Sequence, residues 1–172
     1  MSQKLIRQAQ SAFMKGRNIM TGVLTLHEVM HETKIRKEVG VILKLDFEKA
    51  YDKVCWDFLF ENHKHRNFGS KMQNWIHNVV IGGTVCVKIN DQTGPYFTSH
   101  KGVRQGDPLS PLLFNLVADC LTRLVRQAQE NNMITGLASH LITNGVAILQ
   151  YADDTIICLK DDIDKARTTN FL

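Results

Sequence analysis

Disulfide chemistry has little to work with in this chain: its four cysteines, Cys55, Cys86, Cys120 and Cys158, are dispersed and form no CxxC pair. A Cys-rich secreted scaffold is thereby excluded, and the thiols read as reduced core residues of a cytosolic or nuclear protein. Long apolar runs are missing too. Stretches such as VVIGGTVCV at 79–87 stop well short of the ~18 uncharged residues that a membrane span requires. The opening MSQKLIRQAQ lacks the apolar core of a signal peptide, so a soluble, intracellular, non-secreted chain is expected. There is no internal repeat and no low-complexity tract. With 44% hydrophobic and 22% charged residues, the composition is globular rather than disordered or fibrous. The 172 residues suffice for one domain, which at this size buries roughly 70% of the surface its unfolded chain exposes. Net charge is only +4, compatible with a polyanionic partner without demanding one. The small basic clusters KIRK at 34–37 and HKHR at 63–66 fit two solvated helix ends as well as a phosphate track.

What is present is a succession of well-marked elements. Ile19, Val23, Leu26 and Met30 recur at helical spacing between about Asn18 and Lys37, which predicts an amphipathic helix. Gly40 breaks it, and VILKLDF at 41–47 has the β-branched and aliphatic content of a short strand that ends in Asp46. Trp56, Leu59 and Phe60 mark a second helix, over about 52–65. A stop at Asn67 to Gly69 and a Ser70 N-cap lead to a third, over 71–80, burying Trp75, Ile76 and Val79. TVCVKIN at 84–90, then DQTG and PYFTSH, read as a β-hairpin with a Gly-containing loop. After the Gly- and Pro-rich KGVRQGDPLSP, a long helix from Leu109 to about Glu130 carries a broad apolar face that includes Leu112, Leu113, Leu116 and Val117. The last element is a hairpin of GVAILQY and TIICLK, turning at Ala152-Asp153. Setting the first helix aside, the order is that of a split βαβ layout. It predicts an α+β, ferredoxin-like fold whose antiparallel sheet is covered by helices on one face and open on the other.

The stretch ILQYADDTIICL at 148–159 sets two adjacent acids, Asp153 and Asp154, inside an otherwise apolar run. Burying a carboxylate uncompensated is expensive, and neighbouring like charges raise each other's pKa, so something must stabilise the pair. If the first strand and the last hairpin are neighbours in one sheet, Asp46, Asp153 and Asp154 converge from distant points of the chain. Hard divalent cations relieve such repulsion, because Mg²⁺ is held by one or two carboxylates with substrate phosphates completing its shell. Two such ions ~4 Å apart serve in-line phosphoryl displacement in polymerases and nucleases. Asp is also a favoured turn residue, so an Asp-Asp turn taken alone is structural more often than catalytic, and the other motifs must decide.

YADD between two apolar strands, LDFEKAYD at 45–52 and GVRQGDPLSPLLFN at 102–115, in that order, together resemble a reverse transcriptase, with wording closest to non-LTR, LINE-type retrotransposons. QSAFMKGRNI at 10–19 is similar to the segment that leads from the fingers into the palm of those enzymes. The resemblance covers essentially the whole chain, with 1–39 as the finger-to-palm segment and 40–172 as a polymerase palm. It implies an RNA-directed DNA polymerase in which Asp46 and Asp153 are the principal ligands of two Mg²⁺ ions, or of Mn²⁺ as a substitute, and Asp154 assists. Tyr51 falls on the aromatic gate that crowds a 2′-hydroxyl, and Phe47, Gln105 and Gly106 join it beside the incoming nucleotide. Gly106 would permit close backbone approach, and Pro108 and Pro111 would fix the start of the long helix. The implied partners are an RNA template, a DNA primer and a dNTP, whose α-phosphate the primer 3′-hydroxyl attacks with release of pyrophosphate. The resemblance stops short of the triphosphate-gripping finger strands, the primer grip and the thumb, so weak or no activity is expected of this chain by itself. The alternative it leaves is a non-catalytic, nucleic-acid-binding remnant of a retroelement.

A rival sits in HEVMH at 27–31, which matches H-E-x-x-H. His27 and His31 fall one turn apart, with Glu28 as a candidate base. A zinc hydrolase needs a third protein ligand, and where the longer pattern would have Gly and His this chain has Lys34 and Lys37. The zinc metalloprotease is the weaker reading, and the helix is expected to be scaffold.

Overall fold

In the computed structural model, which describes residues 5–161, Asn18 opens the first helix as its residue type favours. Its side chain accepts the Met20 N–H at 2.9 Å and caps α1 (Ile19–Ile35). Three further helices follow, α2 (Trp56–His65), α3 (Ser70–Ile81) and α4 (Ser110–Glu130). The strands are β1 (Gly40–Leu45), β2 (Thr84–Val85), β3 (Lys88–Ile89), β4 (Gln92–Thr93), β5 (Phe97–Thr98), β6 (Ile148–Tyr151) and β7 (Asp154–Lys160). The protein is thus a mixed α+β fold with small antiparallel sheets. It divides into two compact units, one made of the residues up to Glu48 and from Ala118 onward, the other of Lys49–Val117. Among the described residues no helix is long and apolar enough to cross a membrane.

The first unit is built on a three-stranded antiparallel sheet of order β1-β7-β6. Its register runs from Gly40 opposite Lys160 to Leu45 opposite Thr155, and from Ile148 opposite Ile157 to Tyr151 opposite Asp154. The early segment also joins β6: the Ser11 N–H donates to the Gln150 carbonyl at 3.0 Å and the Gln150 N–H to the Ala9 carbonyl at 2.8 Å, a parallel bridge between Gln10 and Gln150. On one face Ile148, Ile157 and Leu159 pack with Val125 and Ala128 of α4. On the other, Cys158 and Ile156 pack with Leu26 and Val29 of α1. Helices therefore cover two faces of the sheet, not the single face expected. The cause is visible in β7, whose apolar residues Ile156 to Leu159 run without alternation, the pattern of a strand buried on both sides.

The expected stripe of α1 is displaced as well. Val29 is the buried residue, whereas Ile19, Val23 and Met30 are exposed. Apolar side chains also occur at Met20, Leu24 and Val29, right round the helix, so spacing alone did not select the inner face.

In the second unit, β2 pairs with β5 and β3 with β4, a hairpin interrupted midway. Its turn is Asn90-Asp91, both with positive φ (+48° and +63°), the mirror-image turn that suits strand twist, and not the Gly-containing stretch after it. Gly69, without a side-chain bond, occupies the cap position of α3, and Ser70 is already helical. That helix buries Ile76 and leaves Trp75 and Val79 exposed. On α2, Asn62 donates from Nδ2 to the Leu116 carbonyl at 2.7 Å and accepts from Arg66 Nε at 2.6 Å. Asp107 sets the start of α4, its Oδ1 accepting the Leu109 N–H at 2.7 Å and its carbonyl the Ser110 N–H at 3.1 Å. Besides Leu113, Leu116 and Val125, α4 buries the polar residues Asn115, Asp119, Thr122 and Gln129.

Candidate active site

Tyr151 and Asp154 close the β6–β7 hairpin opposite one another, so the connecting turn is Ala152-Asp153, where the sequence predicted it. Ala152 has φ +53°, a left-handed conformation that costs an L-residue about 1–2 kcal/mol. Two buried amides prop this turn. Gln10 accepts the Ala152 N–H on Oε1 at 2.9 Å and donates from Nε2 to the Ala152 carbonyl at 3.0 Å. Below it, Gln150 accepts from Thr122 Oγ1 at 2.6 Å and donates to Thr155 Oγ1 at 3.2 Å. Neither glutamine was singled out from the sequence. The one available signal was a non-glycine residue in a tight turn, which needs outside support.

The acids stand at one end of the sheet. Asp153 is half-buried and Asp154 exposed, which removes most of the burial cost that the apolar run implied. Asp154 Oδ1 lies 3.2 Å from Lys44 Nζ on β1, so a lysine offsets part of the charge. Asp46 is exposed and lies one residue beyond the last ladder pair, Leu45 opposite Thr155. Continuing that register sets it level with Asp154. Among the described residues, no group of three or more His, Cys, Asp or Glu is gathered closely enough to hold a metal ion. The donor type, all carboxylate oxygen on strand ends, is the one Mg²⁺ and Mn²⁺ take. A cleft of about 1010 Å³, lined in part by Lys15, Arg17, Lys44, Tyr151 and Asp154, opens in the same unit. Phe47, next to Asp46, is exposed.

Tyr51, Gln105 and Gly106 belong to the second unit. The Tyr51 ring stacks on Phe114 at 4.5 Å and 13°, and its carbonyl accepts the Val103 N–H at 2.9 Å. Gln105 is exposed, with Nε2 3.4 Å from Asp52 Oδ1. Gly106 has φ +90° and nothing within 4 Å of where a Cβ would sit, so its own chain requires glycine there for conformation and not for close approach. The close approach is at Gly102, where a Cβ would meet the Asp52 carbonyl oxygen at 2.7 Å. His27, Glu28 and His31 lie exposed on α1, and the described residues offer them no third ligand.

A profile of the family "Reverse transcriptase (RNA-dependent DNA polymerase)" matches residues 1–169. The chain belongs to the reverse transcriptase family. Within it, the chain is homologous to proteins of non-LTR retroelements, as its motifs led one to expect. It is 29% identical over 95% of its length to the transposon TX1 uncharacterized 149 kDa protein of Xenopus laevis. It is 27% identical over 89% of its length to the retrovirus-related Pol polyprotein from type-1 retrotransposable element R2 of Nasonia vitripennis. It spans 12% and 14% of those two relatives. Among solved structures, telomerase from Candida albicans, in complex with a fragment of telomeric RNA, superposes with a TM-score of 0.68 at 11% identity, covering 95% of this chain and 29% of that one. Apo telomerase from Candida tropicalis, truncated from its C-terminal domain, gives 0.64 at 15% identity, covering 95% and 32%.

Proposed function

We propose that this chain carries the nucleotidyl-transfer centre of an RNA-directed DNA polymerase of a non-LTR retrotransposon, with the β1-β7-β6 sheet in the role of the polymerase palm. The observation that supports this reading is the β1–β7 register, which ends at Leu45 opposite Thr155 and whose continuation would bring Asp46 level with Asp154 beside the Asp153 turn. Asp46 and Asp153 would hold the divalent ions, with Asp154, shared with Lys44, assisting. Mg²⁺ or Mn²⁺ bound there supplies activation of a primer 3′-hydroxyl and charge stabilisation on the departing pyrophosphate. The chain's own contribution would be alignment, with Asp154 at the start of β7 and Asp153 in a turn that the buried Gln10 amide braces at Ala152. In the roles the family resemblance gives them, Tyr51, its ring stiffened by stacking on Phe114, would reject a 2′-hydroxyl by crowding, and Phe47, Gln105 and Gly106 would serve nucleotide binding. RNA template and DNA primer are the proposed polymeric partners. The relatives are several times longer than this chain, so the chain alone is expected to incorporate dNTPs weakly or not at all.

Primer extension on an RNA template with Mg²⁺ or Mn²⁺, together with Mn²⁺ binding followed by electron paramagnetic resonance, tests the assignment. Asp153→Asn is expected to abolish both the Mn²⁺ binding and any incorporation. Incorporation or Mn²⁺ binding that survives Asp46→Asn and Asp153→Asn would remove these acids from the site. The ungathered acids favour a second reading, a non-catalytic RNA-binding module. Salt-sensitive RNA binding with no Mn²⁺ binding at all would establish that reading instead.

A further inference from the structure

The acid turn is the part of the proposed site with the least intrinsic reason to hold its shape. Ala152 occupies a left-handed conformation without the freedom of glycine, and such conformations persist only where surrounding structure over-determines them. Gln10 meets that requirement. It is fully buried, and its amide forms a fork on a single residue, accepting the Ala152 N–H at 2.9 Å and donating to the Ala152 carbonyl at 3.0 Å. Its Oε1 accepts a second donor, the Ala12 N–H, at 3.1 Å, which fixes the rotation of the amide. The backbone beneath it is anchored in turn. Gln10 bridges Gln150, and the Arg17 guanidinium donates to the carbonyls of Ile6, Arg7 and Gln10 at 2.7, 2.5 and 2.5 Å. Arg7 Nη1 pairs with buried Asp119 of α4 at 2.7 Å.

We propose that Gln10 is a positioning residue for the acid turn: its side-chain amide clamps Ala152 and thereby fixes the direction in which Asp153 and Asp154 present their carboxylates to a divalent cation. The inference rests on the metal-site reading above and adds to it a residue 142 positions away in the sequence. A glutamine that merely fills the core would cost stability when replaced and nothing more. A positioning glutamine costs metal affinity in a protein that is still folded, and partners of this supporting kind are worth about 10–100-fold.

The test compares Gln10→Met, similar in size but without the fork, and Gln10→Glu, which keeps the acceptors and loses the donor. Val125→Ala serves as a stability control, since it opens a cavity in the core between α4 and the sheet without touching the turn. For each variant, circular dichroism shows it folded, electron paramagnetic resonance gives the Mn²⁺ affinity, and NMR hydrogen exchange gives the Ala152 amide protection. We expect the Gln10 variants to bind Mn²⁺ at least about tenfold more weakly and to exchange the Ala152 amide faster, while Val125→Ala binds as the parent does. Gln10→Glu carries the measurement should Gln10→Met fail to fold. Unchanged Mn²⁺ affinity in a folded Gln10 variant, or an equal loss in Val125→Ala, would overturn the proposal. Asp153→Asn, run alongside, separates the two ideas. If it leaves Mn²⁺ binding intact, the metal-site reading fails, and the Ala152 exchange rate still decides whether the clamp exists.

Discussion

Cys158 and Cys55 share a functional group and little else. Cys158 is fully buried against α1, and desolvation pushes its thiol up to about 11, whereas Cys55 is exposed, which corrects the expectation that all four cysteines lie in the core. Because the thiolate is the reactive form, iodoacetamide should label Cys55 in the folded protein and reach Cys158 only in denaturant, as read by peptide mass mapping. Rapid labelling of native Cys158 would contradict its burial. His63 offers a pH test. Burial, with the Arg66 charge adding to it and the Leu59 backbone opposing, lowers its pKa below the ordinary 6.5. The unfolded chain then takes up the proton first, so stability present above 6.5 is lost as pH falls through that value. Melting temperature should drop on acidification from about pH 7 to pH 5 and drop less in His63→Leu. Equal pH dependence in the two proteins would assign the effect to other groups.

At the scale of elements, α4 shows best what pattern reading reaches and where it stops. Its length and apolar face were legible because leucines recur at helical spacing, and the last hairpin was legible because two apolar runs flank a turn residue pair. The buried polar stripe of α4 was not, since its partners come from elsewhere: Arg7 for Asp119, Gln150 for Thr122, and the Asn144 carbonyl for Gln129. The turn was readable from the sequence, but the residue that braces it was not, because Gln10 resembles any other polar residue until its partner 142 positions away is known. The Arg7–Asp119 pair makes this energetic. Arg7→Ala takes the guanidinium away from a fully buried carboxylate, which keeps the bond from the residue 7 N–H, and should cost about 3–5 kcal/mol. Asp119→Ala leaves an arginine whose side chain is 33% exposed and able to turn to water, so about 1–3 kcal/mol is expected. Urea unfolding of the two variants gives the ranking, and an equal or reversed order would show that Asp119 is satisfied without Arg7.

For the molecule as a whole, net charge is +4 and the basic residues are spread along the chain, so nucleic-acid affinity should be modest and salt-dependent. Neutralising about four phosphates of single-stranded RNA would give a slope of log affinity against log salt on the order of −3. Fluorescence anisotropy across a salt series measures it, and a slope near zero would remove electrostatics as the basis of binding. The bond between Gln10 and Ala152 also orders events in time. At roughly 5–20 residues per second of synthesis, the 142 positions that separate the two put roughly 7–28 s between the making of the clamp and the making of what it clamps. Throughout that interval Gln10 waits without its partner, and a hairpin formed before the two meet would carry its acids on a loose turn. The pair of aspartates can therefore take the direction this clamp would give it only after β6 has been made and the Gln10 segment has docked beside it.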